Sequence, residues 1–122
     1  FEGIQLLKNF NAAVVLAHPI RISMENLPHL LSMPFDGIEA KYCRSNDRST
    51  SYFINTAMRS FSFYTAGSDF HTNRTIDHKH CTIGEPYLNS SEIEKFLTKS
   101  GALVLGKGAV RNTMSHIKSS WC

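Results

Sequence analysis

The stretch Ala13-Val14-Val15-Leu16-Ala17-His18-Pro19 is a short apolar run that stops on a histidine and a proline. Its brevity and its adjacent β-branched side chains favour a buried strand over a helix. Pro19 closes it, because proline has no N–H to give to a ladder. The same pattern recurs twice downstream. Asp36-Gly37 makes a turn, and residues 37–42 read as a second strand that carries Ile38 and Glu39. Residues 62–66 read as a third, which runs into Gly67-Ser68-Asp69-Phe70-His71.

Helical patterns separate these strands. Ile4, Leu7 and Phe10 are spaced for one face of a helix over residues 1–10. Ser23 can cap a helix over 24–33, with Leu27, Leu30 and Leu31 facing inward and Pro34 stopping it. A third helix is expected over about 51–60, carrying Tyr52, Phe53, Ala57 and Met58. Ser91 and Glu94 suggest a capping box before a fourth, which Gly101 ends. Residues 73–82 read as a polar loop and 102–105 as a short last strand before a polar tail. The fold class is α/β. In such folds chemistry gathers at the carboxyl ends of the strands, and the candidate groups sit at or just past those ends. Three short strands cannot close a barrel, so the sheet is either open or the last portion of a larger barrel.

The bulk properties narrow the partners. The 122 residues predict one domain, and 42% hydrophobic content supports a core. Thirteen basic against ten acidic residues give +3, too mild for the dense basic stripe of a nucleic-acid binder but suited to a small anion. There is no apolar stretch long enough to span a bilayer. Cys43, Cys81 and Cys122 are odd in number and widely spaced, so no disulfide framework is expected and a reducing cytoplasm is the expected compartment. Asn73-Arg74-Thr75 and Asn89-Ser90-Ser91 are read as chance matches to the glycosylation pattern. Gly106-Lys107-Gly108 lacks the rest of a phosphate-binding loop.

Asp69 and His71 stand two apart in a glycine-led loop, where a turn can aim both side chains inward. A carboxylate and an imidazole suit Zn²⁺, Mn²⁺ or Fe²⁺. The ordinary alternative is a turn in which Asp69 accepts backbone N–H groups. His18 has a similar choice, between ligand and strand-ending residue bonded to a carbonyl. Arg21 follows the His-Pro turn, and its donor fork suits a phosphate. Arg44 and Arg48 are weaker substrate-binding candidates, since a short basic loop is commonly just solvated. His78, His80 and Cys81 do not have structural-zinc spacing, but His80 can approach a substrate.

The runs Val15-Leu16-Ala17-His18-Pro19, Phe35-Asp36-Gly37-Ile38-Glu39 and Thr65-Ala66-Gly67-Ser68-Asp69-Phe70-His71 together resemble the polymerase and histidinol phosphatase (PHP) superfamily, in its metal-dependent phosphoesterase branch. The resemblance covers about residues 1–105. It implies that 1–122 is the C-terminal part of a distorted seven-stranded (β/α) barrel. His18, Asp69 and His71 would match metal ligands, with Glu39 at the end of an adjacent strand as a fourth candidate. Manganese or zinc is the metal implied first, magnesium or iron second. The family's initial His-x-His motif has no counterpart in this sequence, so this chain holds a minority of the ligands.

The implied function is metal-dependent hydrolysis of a small phosphomonoester, with nucleotides or nucleoside bisphosphates among the candidates, by the intact protein rather than by this portion alone. A noncatalytic α/β packing or interaction module is the alternative. A nuclease or proofreading domain ranks third, because the charge is mild and there is no aromatic stacking stripe. The expected partners are the phosphorylated substrate, the absent N-terminal barrel portion, and a second copy through an open sheet edge.

Overall fold

A computed structural model describes residues 1–72 and 80–102. Helix α1 spans Glu2–Asn9, strand β1 Val15–Leu16, helix α2 Leu27–Leu31, strand β2 Gly37–Tyr42, helix α3 Asp47–Ser60, strand β3 Phe63–Gly67 and helix α4 Ser90–Lys99. A 3-10 turn over Pro19–Arg21 follows β1. The three strands form one parallel sheet in the order β1-β2-β3. The α/β class is therefore shown, with three strands among the described residues. The expected loop residues 73–79, including His78, and residues 103–105 of the expected last strand lie outside the described residues, as does the tail.

The parallel pairing puts all three carboxyl ends on one edge. β1 pairs Val15 with Gly37 and Leu16 with Ile38. β2 pairs Gly37 with Phe63 and Tyr42 with Gly67, with a register shift between Glu39 and Lys41. That irregularity lets β2 gain one residue on β3 near the edge. Gly37 permits the close pairing, because a Cβ there would meet the Phe63 ring at 2.6 Å and its carbonyl oxygen at 2.9 Å.

The main core joins Leu16, Ile38 and Ala40 of the sheet to Leu27 of α2 and to Phe53 and Ala57 of α3. Each fully buried aliphatic or aromatic side chain of this kind stabilises the fold by about 1.5–3 kcal/mol. Tyr52 and Met58, carried by the expected third helix, are exposed. Their neighbours Phe53 and Ala57, four apart, take the whole buried stripe. In α1 only Ile4 is buried, while Leu6, Leu7 and Phe10 face outward. Lys8 nevertheless ties α1 to the sheet through Asp36 at 2.9 Å, and the other Asp36 oxygen accepts the Val14 N–H at 2.8 Å.

Helix α4 covers the open edge at β3. Phe96 packs edge-on against Phe63 at 5.2 Å between ring centroids. Glu92 meets Lys41 Nζ at 2.6 Å and accepts the Tyr64 hydroxyl at 2.6 Å. Phe63 and Tyr64 are neighbours in a strand and point to opposite faces, so α4 straddles the edge rather than lying on one face. Burial pushes the Tyr64 pKa up to about 12, with its hydrogen bond to Glu92 adding to the rise.

Several helix bounds differ from expectation for one reason, capping. Asn46 accepts the Ser49 N–H and starts α3 at Asp47, four residues before the expected start. Asn89, not Ser91, forms the capping box of α4: its side chain accepts the Glu92 N–H while Glu92 accepts the Asn89 N–H. Asparagine competes well for this role, since its side-chain oxygen reaches the third residue's N–H. β1 is shorter than the apolar run suggested.

The cysteines correct the sequence reading. Cys43 and Cys81 form a disulfide across 38 residues. Their spacing hid this, because the parallel fold brings the end of β2 beside a segment far along the chain. A disulfide is usual in oxidising compartments, which is at odds with the reducing cytoplasm expected from the cysteine count. Among the described residues no helix is long and apolar enough to cross a membrane.

Candidate metal centre

The centre is built around Asp69, just past the end of β3. Its φ of 52° is left-handed, as is the 39° of His18 just past β1. Such backbone costs an L-residue about 1–2 kcal/mol, so other contacts must hold both residues. For His18 the holder is Glu39, whose Oε2 accepts the His18 N–H at 2.8 Å. Gly67 leaves room for that carboxylate: a Cβ on Gly67 would collide with Glu39 Oε1.

Asp69 is held by Tyr42, the last residue of β2, whose hydroxyl donates to Oδ2 at 2.7 Å. The same hydroxyl accepts from Arg21 at 2.8 Å. Tyr42 thus couples a guanidinium to a carboxylate. Burial is the first cause that raises the Tyr42 pKa, and the bond to Asp69 adds to it. The phenol therefore stays protonated and donating at neutral pH. Its hydrogen bond is the main cause that holds Asp69 below the usual carboxylate range; burial opposes this, and His18, His80 and His71 reinforce it. Asp69 is an anion at neutral pH.

Three imidazoles surround that anion. His80 Nε2 lies 3.4 Å from Oδ2, His71 Nδ1 3.7 Å from Oδ1 and His18 Nε2 3.8 Å from Oδ1. Arg21 stands 3.7 Å from Oδ2. His71 stacks on His80 with 4.2 Å between centroids, and His18 packs edge-on against Tyr42. Asp69, His71 and His80 each offer a ligand atom within 4.8 Å of the other two. Two imidazoles and one ionised carboxylate are a chemically suitable donor set for a divalent transition metal, so the residues fit the metal that the sequence implied.

The structure brings together His18, Arg21, Asp69, His71 and His80 among the sequence candidates. Glu39 reaches the centre through the His18 backbone rather than through the donor cluster. The ion pairs at Asp69 do not include Arg44 or Arg48. Arg48 instead lines an open, mostly apolar groove of about 440 Å³ with Ile20, Ile22, Met24 and Tyr52. Tyr42 was missed by sequence reasoning, although its place at the end of the second strand was a usable signal. Compared with known protein families, curated proteins and solved structures, the chain matches none.

Proposed function

We propose that this chain is the C-terminal part of a metal-dependent phosphoesterase, completing a PHP-type (β/α) barrel and supplying part of its metal centre. The observation that carries this reading is the convergence of His18, Arg21, His71 and His80 on one ionised carboxylate at the carboxyl edge of a parallel sheet. Asp69, His71 and His18 would hold divalent metal, manganese or zinc first, with Glu39 supporting the His18 loop. When bound, the metal lowers the pKa of a water and neutralises phosphate charge. Arg21 is half exposed, so its guanidinium can meet a phosphate oxygen while Tyr42 orients it. Arg44 and Arg48 remain further substrate-binding candidates, while His80, first expected near substrate, stands with Asp69 and His71 in the donor group. The substrate is a small phosphomonoester, with nucleotides and nucleoside bisphosphates to be tried first.

The test is turnover of a phosphomonoester panel by the chain joined to a barrel portion bearing a His-x-His motif, after Mn²⁺ loading. Hydrolysis lost on Asp69→Asn supports the reading, and no turnover across the panel overturns it. The chain alone is expected to be inefficient, because its ligands are a minority of a multinuclear set.

A second reading, a noncatalytic packing module, is favoured by the outward Leu6, Leu7 and Phe10 of α1. These side chains and the edge strand β1 offer a surface for the missing barrel portion or for a second copy. The Cys43–Cys81 bond favours an oxidising compartment over the cytoplasm for the protein.

A further inference from the structure

His80 reaches Asp69 from a segment far along the chain, and its neighbour Cys81 explains how it is placed. Cys81 is bonded to Cys43, and its N–H donates to the Ser68 carbonyl at 3.0 Å. Cys43 is itself buried, follows Tyr42 directly, and donates its N–H to the Gly67 carbonyl at 3.0 Å. The disulfide therefore joins the residue beside Tyr42 to the residue beside His80. Both flanking side chains approach the same Asp69 oxygen, Tyr42 at 2.7 Å and His80 at 3.4 Å. The rigidity of the sheet edge is carried through the sulfur bridge to the imidazole.

The spacing is compatible with two ligands on one ion. A charge-assisted hydrogen bond from an imidazolium would bring nitrogen and oxygen to about 2.7–2.9 Å. Two ligands about 2.1 Å from a tetrahedral metal stand roughly 3.4 Å apart. His80 Nε2 stands 3.4 Å from Asp69 Oδ2. His71 Nδ1 also meets the Asp69 carbonyl oxygen, which can only accept. Such a backbone bond is the usual way a metal-binding histidine is oriented.

We propose that Asp69, His71 and His80 form a divalent transition-metal site whose third ligand is put in place by the Cys43–Cys81 disulfide, so that metal affinity follows the oxidation state of that bond. This rests on the metal-dependent reading above and adds to it a ligand and a control. Reduction by a dithiol delivers two electrons and two protons. The S–S bond breaks, Cys43 and Cys81 become thiols, and the reductant closes its own disulfide. Cys81 then keeps its bond to Ser68 but loses its covalent hold on the sheet, and His80 loses the anchor that sets its distance from Asp69. Exchange with a small-molecule disulfide, which takes up the two electrons and two protons and leaves as two thiols, re-forms the Cys43–Cys81 bond and restores the site.

Calorimetric titration of Mn²⁺ into the full 122-residue chain tests this without recourse to hydrolysis. Manganese is the probe because thiols compete for it less than for zinc. The oxidised chain is expected to bind Mn²⁺, and His80→Ala to weaken it about tenfold or more. Cys43→Ser with Cys81→Ser, which leaves no thiols at either position, is expected to cause a similar loss. Adding His80→Ala to that pair should then change little, since ligand and tether act along one path. Unchanged affinity in a folded serine pair overturns the proposal. Should the serine pair lose its circular dichroism signal, insertion of three glycines between His80 and Cys81 keeps the bond and uncouples the ligand. A full-strength Mn²⁺ site in the insertion variant overturns the proposal equally. An oxidised chain that binds no Mn²⁺ overturns both the proposal and the metal reading. Disulfide-dependent binding in a protein that hydrolyses no phosphoester supports the proposal and removes only the phosphoesterase.

Discussion

Glu39 of β2 holds the backbone of His18, just past β1, through a 2.8 Å hydrogen bond to the His18 N–H. A side chain in one strand thereby fixes the left-handed backbone that follows its neighbour, and the imidazole is aimed before any ligand arrives. Replacing Glu39 by Ala should cost about 1–3 kcal/mol, because the His18 N–H loses a charged partner in a half-buried place. Urea unfolding measures this. A loss under about 0.5 kcal/mol would show that water replaces the carboxylate at no penalty.

Gly67→Ala should be as damaging as the loss of Glu39. The new methyl would collide with Glu39 Oε1, so the carboxylate must swing away from His18. Forced shifts of this kind cost about 1–3 kcal/mol. Combining Gly67→Ala with Glu39→Ala should restore part of the loss, since the colliding group is gone. Strict additivity in urea unfolding of the four proteins would contradict this picture.

Glu92 predicts the acid limb of the stability curve. Burial pushes its pKa up, but hydrogen bonds from Lys41, Tyr64 and the Asn89 N–H outweigh this and leave it lowered from 4.5. A carboxyl group with a depressed folded pKa stabilises above its unfolded pKa, and the stability is lost as pH falls through the folded value. Stability should therefore decline as pH drops below about 4.5. Glu92→Gln should weaken that decline and cost about 1–2 kcal/mol at pH 7. Urea midpoints between pH 3 and pH 7 provide the check, and an unaltered acid slope in the variant would assign the decline elsewhere.

Removing the Cys43–Cys81 bond should lower stability by about 2–4 kcal/mol. Chain-entropy arithmetic for a closed loop of 38 residues gives the upper figure. The measurement is the melting temperature of the Cys43→Ser, Cys81→Ser chain against the oxidised parent. An equal melting temperature would mean that the unfolded chain is already compact around this loop.

The outward Leu6, Leu7 and Phe10 of α1 predict self-association of the isolated chain. Light scattering should show mass rising with concentration, and Leu6→Glu with Phe10→Glu should shift it toward monomer. A concentration-independent monomer in the parent would show that α1 needs no cover.

The strand grammar was legible because a parallel strand buried on both faces writes itself as a continuous apolar run, as Val14, Val15 and Leu16 do. Ends were less legible. Asn46 and Asn89 stand among several polar residues that can cap, and which one wins depends on where the following helix docks. At the site, Asp69, His71 and His18 carried a local signature. Tyr42 offered only its place at a strand end and His80 only a possible approach to substrate, since their meeting on Asp69 depends on strand register and on a bond between distant cysteines. The first helix was legible, but helical spacing finds a stripe and only the sheet decides which part of it, here Ile4, is covered.

The left-handed backbone at Asp69 also narrows what can replace it. Few side chains sit comfortably at a φ of 52°, chiefly asparagine, aspartate and glycine, while β-branched residues are shut out. A saturation library at this position would therefore be filtered twice, once by folding and once by charge. Asparagine and glycine pass the first filter and fail the second. Neutral drift at position 69 thus runs through residues that silence the site but spare the fold, and a silenced descendant of this protein would still look like its parent in outline.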